Sequence, residues 1–243
     1  MTSPSLSVEE LKKRACETIE QSKNEIVDIA QQILANPEAG FRETKTAQLV
    51  SRKFQEMGIQ HETGLALTGL KGRITGGAGP GPSVAVIGEL DSLVVTEHPH
   101  ADPETGAAHA CGHHCQIGMM LGATMGLLAP EVLSHLSGSI VPFAVPAEEF
   151  IEVEQRLEMR EQGKLEFLGG KQELIKLGHF DDVDMAMMCH TERHGRAPVR
   201  HGWNQQRTCS QVREIYRRGS PRWQPPSSRG KRLKRSFIRD PSH

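Results

Sequence analysis

Neither tryptophan nor tyrosine occurs in the first 192 residues of this 243-residue chain; Trp203, Trp223 and the single tyrosine, Tyr216, all come later. Acidic residues show the opposite gap. After residue 192 only Glu214 and Asp240 remain, against 14 lysines and arginines, a balance of +12. Residues 1–192 hold 15 basic against 28 acidic residues, a balance of −13, so the net charge of −1 conceals two compositions that need separate readings. No apolar run approaches the roughly 18 residues of a membrane-spanning helix, which excludes that class. The polar opening from Met1 to Glu10 lacks the apolar stretch of a secretory signal. Five scattered cysteines (Cys16, Cys111, Cys115, Cys189 and Cys209) make no disulfide framework and point to a reducing, cytoplasmic setting.

What is present reads as alternating helices and strands. Ser7 and Glu10 form a capping-box pattern, and Leu11, Ala15, Ile19, Ile26, Ala30 and Ile33 then recur mostly at three- and four-residue steps, predicting helix up to Pro37. A second helix is predicted at Glu43–Met57, stopped by Gly58. Apolar runs at Gly69–Thr75 and Val84–Leu90 predict strands separated by the turn-forming GGAGPGP at 76–82. The second run, VAVIGEL, is nearly continuous in apolar character, as a strand covered on both faces requires. A helix follows through Ile117, Met120, Leu121, Thr124 and Leu128, then a strand at Gly138–Val145. Two polar helical segments and a last strand, Asp184–Cys189, complete the pattern. The class is α/β, with helices layered on both sides of a sheet.

Four clusters fall where βα topology gathers side chains beyond the carboxyl ends of strands. They are Asp91 after VAVIGEL, His109-Ala-Cys111-Gly-His113-His114 at a helix start, Pro146-Ala-Glu148-Glu149 after a strand, and His190 after the last strand. Each has a plain structural reading: a capping aspartate, a buried cysteine beside a solvated histidine, a solvated glutamate pair, a structural histidine. Together they offer the Cys, His and carboxylate ligands that a borderline-soft divalent ion such as zinc selects. A zinc ribbon through Cys111 and Cys115 lacks a second closely spaced ligand pair. A cysteine nucleophile at Cys111, served by His113 or His190, leaves PAEE without a role.

HACGHHCQIGMMLGA at 109–123, preceded by GELDSL, followed by PAEE and then by Cys189-His190, resembles family twenty of the metallopeptidases over about residues 10–192. Its nearest branch holds aminoacylases, hippurate and indoleacetyl-amino-acid hydrolases and aminobenzoyl-glutamate hydrolases. The resemblance implies a layered helix–sheet–helix catalytic domain of zinc-exopeptidase type carrying two divalent ions, zinc first, with manganese or cobalt as alternatives. It implies Cys111 as bridging ligand, His113, Glu149 and His190 as further ligands, Glu148 as general base, and Asp91 supporting the metal site from behind. The implied reaction is hydrolysis of the amide bond of an N-acyl or N-aroyl amino acid or a small dipeptide.

Two positions depart from that pattern. His114 stands where the branch carries Asp or Asn, which is expected to alter the hydrogen bonding around His113. Gln116 stands where many members have His and is shared with the aminobenzoyl-glutamate-like branch. The resemblance also implies a longer protein, with an inserted lid domain through which relatives form homodimers and a final histidine ligand. On that basis residues 1–192 are expected to be the N-terminal part of the catalytic domain of a C-terminally truncated chain without the lid. Residues 193–243, rich in Arg, Ser and Pro and without periodicity, are expected to be a tail lacking regular order, its abrupt onset pointing to out-of-frame translation. Loss of later strands is expected to leave a sheet edge open. The alternatives are an inactive fragment, and a non-enzymatic binding module whose basic KRLKR tail meets nucleic acid.

Overall fold

The computed structural model describes residues 6–191 and, as backbone alone, a strand at 211–217. The opening helix is capped as its sequence dictates. Ser7 Oγ accepts from the Glu10 N–H at 3.3 Å, and Glu10 Oε2 accepts from the Ser7 N–H at 2.8 Å. The single helix predicted up to Pro37 is two, α1 (Val8–Gln21) and α2 (Lys23–Leu34), divided at Ser22. Next come α3 (Thr44–Glu56), stopped by Gly58 at φ +70°, and the hairpin β1 (Gln60–Leu65) and β2 (Gly69–Thr75). Sequence reading placed no strand at β1, because its residues are polar and only Leu65 is buried.

The chain continues through β3 (Ser83–Glu89), a two-stranded ribbon of β4 (Leu93–Val94) and β5 (Ala107–Ala108), then α4 (His113–Leu128) and the short α5 (Pro130–Leu133). After them come β6 (Ser139–Val145), α6 (Val153–Glu161), α7 (Gly170–Lys176), β7 (Met185–His190) and β8 (Gln211–Arg217). The main sheet runs β1-β2-β6-β3-β7-β8. Its middle strands β6, β3 and β7 are parallel, and the outer pairings are antiparallel.

Strands covered on both faces explain the continuous apolar runs. On one side Ile29, Ile33, Val50, Phe54, Ile117 and Leu121 from α2, α3 and α4 pack on Leu70, Ile74, Ile140 and Ala144 of the sheet. On the other, Ala85, Ile87, Val141, Phe143 and Val145 meet Leu165, Leu174 and Val183. The layered helix–sheet–helix class read from the sequence is the observed one.

Of the stretch 193–243, the structure describes only β8, a strand that sequence reading did not place. It pairs antiparallel with β7, so the edge expected to be open beside β7 is occupied. The remaining expectations for that stretch lie outside the described residues.

Within the first layer, α1 and α2 sit close to α4 because α4 carries small residues toward them. A Cβ on Gly126 would lie 2.8 Å from the Ala15 carbonyl oxygen and 2.9 Å from Ile19 Cγ1, whereas one on Gly118 would meet nothing nearer than 3.5 Å. Gly126→Ala should therefore destabilise by about 1–3 kcal/mol through overpacking. Gly118→Ala should be neutral or stabilise by up to about 1 kcal/mol through helix propensity. Urea unfolding midpoints of the two variants check the contrast; equal shifts would refute it.

Candidate metal centre

Three adjacent parallel strands deliver the functional side chains. β3 ends at Glu89 and passes directly to Asp91, β6 leads into Pro146–Glu149, and β7 ends at His190. The fourth contributor is the start of α4, where Gly112 turns the chain at φ +95° so that Cys111 and His113 face the strand ends. Only glycine serves at that turn: a Cβ there would lie 2.1 Å from Thr191 Oγ1, the hydroxyl that donates to the Cys111 carbonyl at 3.0 Å.

Asp91, fully buried, ties these segments together. Its main-chain oxygen lies 2.8 Å from His113 Nδ1, its Oδ1 3.3 Å from the same nitrogen, and its Oδ2 accepts from the Glu149 N–H at 2.9 Å. With Nδ1 occupied by a carbonyl, His113 presents Nε2 to the centre. His190 is held the same way, its Nδ1 2.7 Å from the Thr191 carbonyl and its Nε2 3.3 Å from Cys111 Sγ. Cys111, His113 and His190 thus bring three ligand atoms within 4.8 Å of one another.

A second group of the same tightness joins His113 to Glu148 and to Glu89, a residue that sequence reading passed over. From His113 Nε2, Glu89 Oε2 is 3.1 Å away, Glu149 Oε1 3.8 Å and Glu148 Oε2 3.9 Å. His113 Nε2, Glu89 Oε2 and Glu149 Oε1 are all buried and without a hydrogen-bond partner. Orphaned ligand atoms converging on one point are costly unless a cation sits among them. The donor set of thiol, imidazole and carboxylate matches zinc chemistry, so the residues present fit a divalent ion. Glu89 was legible in principle: Glu89 and Asp91, two apart at a strand end, fall on the same side of the strand.

The electrostatics agree. His113 is pushed well above the ordinary histidine value: burial opposes this, but Asp91, Cys111 and Glu89 outweigh it. Glu89 is depressed to about 2, burial being overcome by His113 and by Lys171, which pairs with its other oxygen. Such a field stabilises positive charge at Nε2, a proton or a metal. Glu148, 38% exposed, is raised by burial and by the Glu89 charge. The Cys111 thiol is pulled down by His113, yet burial and the Glu149 carboxylate carry it above its usual value.

The two departures noted in the sequence resolve differently. His114 makes no hydrogen bond to His113; its ring centroid lies 5.5 Å from that of His109, the rings tilted by 56°, and its Nε2 lies 3.2 Å from Cys115 Sγ. The orientation of His113 is left to Asp91. Gln116 points at the centre's scaffold, its Oε1 accepting from the Glu89 N–H at 2.6 Å.

Beneath PAEE lies a second residue that sequence reading missed. Ala147 adopts φ +48°, a strained value for a residue with a Cβ, immediately before Glu148. Glu43 holds it: Oε1 accepts from the Ala147 N–H at 2.8 Å and Oε2 from the Thr68 hydroxyl at 2.6 Å. Glu43 stands at the start of α3 but turns inward and makes no capping bond, so its pattern in the sequence is that of an ordinary helix-start acid.

No protein-family model matches the chain. It is 35% identical over 143 residues to IAA-amino acid hydrolase ILR1-like 2 of Arabidopsis thaliana, a match covering 58% of this chain and 31% of that relative. It is 31% identical over 176 residues to thermostable carboxypeptidase 2 of Saccharolobus solfataricus, covering 71% of this chain and 40% of the relative. Among solved structures, a dinuclear metal binding peptidase from the M20 family, of Bacillus subtilis, shares the fold with a TM-score of 0.55 at 22% identity. That match covers 69% of this chain and 42% of the other. The chain therefore spans less than half the length of each of these relatives.

The Glu43 brace has a pH signature. Burial first, and then the Asp91 charge, raise its pKa from 4.5 to about 7, and its two hydrogen bonds offset this only in part. Between those values the folded chain holds a proton that the unfolded chain has released. Its contribution is therefore fully present below pH 4.5 and is lost as pH rises to 7, by about 3 kcal/mol. Glu43→Gln should remove that decline. Urea titrations with chelator at pH 4.5, 5.5 and 7 measure the difference between the two proteins, and a difference that does not change with pH would sink the assignment.

Proposed function

Because this chain belongs to family twenty of the metallopeptidases, we propose that it carries the metal-binding and proton-transfer groups of a hydrolase cleaving amide bonds of amino-acid conjugates. The observation that supports this best is the convergence of Cys111, His113, Glu149 and His190 at the ends of three parallel strands, with His113 Nε2 and Glu149 Oε1 buried and unpartnered. The names of the plant and archaeal relatives fit a substrate made of an acyl or aminoacyl group joined to an amino acid. N-acyl amino acids, N-aroyl amino acids and small dipeptides are the substrates we assign. Residues 1–192 are the catalytic unit in this reading.

Cys111, His113, Glu149 and His190 would hold two divalent ions. Bound there, such ions supply Lewis acidity, acidifying a water and polarising the scissile carbonyl. Glu148 takes the water's proton and passes it to the leaving nitrogen. It is half exposed, so it reaches substrate, and its raised pKa brings it toward the working range of a general base. Asp91 keeps His113 in the tautomer that offers Nε2 and fixes the Glu149 backbone, so both sides of the centre share one support.

The free thiols of Cys16, Cys111, Cys115 and Cys189 fit a reducing compartment, and no helix among the described residues is long and apolar enough to cross a membrane. An inactive relative of the same enzymes is the competing reading. Chelator-treated protein should lose hydrolysis of N-acetyl and N-benzoyl amino acids and regain it with zinc, manganese or cobalt. Glu148→Gln should keep its metal yet lower kcat by about 10²–10⁴-fold, the usual worth of a general base. Wild-type protein that holds metal but turns over none of these substrates would favour the inactive alternative.

A further inference from the structure

We infer that Glu89 is itself a metal ligand, binding through Oε2 beside His113 Nε2, a role that rests on the dinuclear reading above and adds a residue to it. Glu89 is 1% exposed on the last residue of β3, at the middle of the three parallel strands. Its register is locked on both sides: it lies opposite Val145 of β6, and Gln116 Oε1 receives its N–H. The backbone is therefore fixed, and Lys171 on Oε1 holds the side chain.

The geometry distinguishes a ligand from a simple partner of His113. Glu89 Oε2 and His113 Nε2 stand 3.1 Å apart, yet neither has a hydrogen bond. Two ligands each about 2.1 Å from one zinc ion are separated by about 3.0–3.4 Å for octahedral to tetrahedral angles. The pair already has that spacing, whereas Glu149 and Glu148 stand farther off at 3.8 and 3.9 Å. The two oxygens of Glu89 are also divided as a monodentate ligand requires. Oε1 pairs with the Lys171 ammonium at the start of α7, and Oε2 is left for the centre. Lys171 keeps the carboxylate ionised and fixed, the support that outer groups commonly give to a ligand.

The test measures cobalt(II) binding and its visible absorption spectrum, and needs no turnover. Wild type, His113→Ala, Glu89→Gln, Glu89→Asp and Lys171→Gln are compared, with circular dichroism to confirm folding. Loss of an outer support costs about 10–100-fold in affinity. Glu89→Gln should therefore lose more than about 100-fold at one site and change the absorption bands, while Lys171→Gln falls within about 10–100-fold with bands unchanged. Glu89→Asp keeps the charge but withdraws the oxygen, and should weaken the same site even if Glu89→Gln does not fold. Wild-type affinity and spectrum in either folded Glu89 variant, with binding lost in His113→Ala, would overturn the ligand role and leave the dinuclear reading standing. Failure of the wild type to bind cobalt would overturn both.

Discussion

Everything at the centre depends on Asp91. One residue uses its carbonyl and its carboxylate Oδ2 to join the end of β3, the start of α4 and the loop after β6. Because it is fully buried, these bonds are not traded with water, and a substitution there would release three chain segments together. The arrangement also sets the chemistry. A carbonyl at Nδ1 decides which nitrogen of His113 faces inward, and a carboxylate behind it raises the basicity of the ring.

The second constraint is the strained turn before the glutamate pair. Ala147 holds a left-handed backbone that costs about 1–3 kcal/mol, and such strain persists only where surrounding contacts over-determine it. Glu43 and the returning chain supply those contacts: Gly170 donates to the Ala147 carbonyl at 3.0 Å while Glu43 accepts from its N–H. The excursion from Glu148 to Gly169, including α6, starts and closes against a single residue, Ala147. α6 is pinned beneath by Arg156, which stacks over Phe41 and donates to the Leu168 carbonyl. Strain, brace and anchor together determine where Glu148 and Glu149 stand.

Much of the fold could be read directly. VAVIGEL and SIVPFAV are apolar at nearly every position, and both proved to be strands covered on two faces. The capping box at Ser7 and the stop at Gly58 appear where their side chains demand. The break at Ser22 and the strand β1 escaped notice, because one has no helix-breaking residue and the other no apolar alternation. Of the centre, the residue types and their order were legible as a motif. Glu89 and Glu43 were not singled out, since an acid in a strand–loop junction or at a helix start is usually a solvated residue.

The sequence by itself determined the layered class, the family and the chemical character of the candidate ligands, because these follow from local patterning and residue type. Only the tertiary structure decided which nitrogen of His113 and His190 faces inward, which oxygen of Glu89 is free, and that His114 turns away. For His113 and Glu89 those outcomes depend on contacts between residues 22 and 82 positions apart in the chain. No local pattern encodes the relative placement of such distant groups; the packing of α4 and the three parallel strands does.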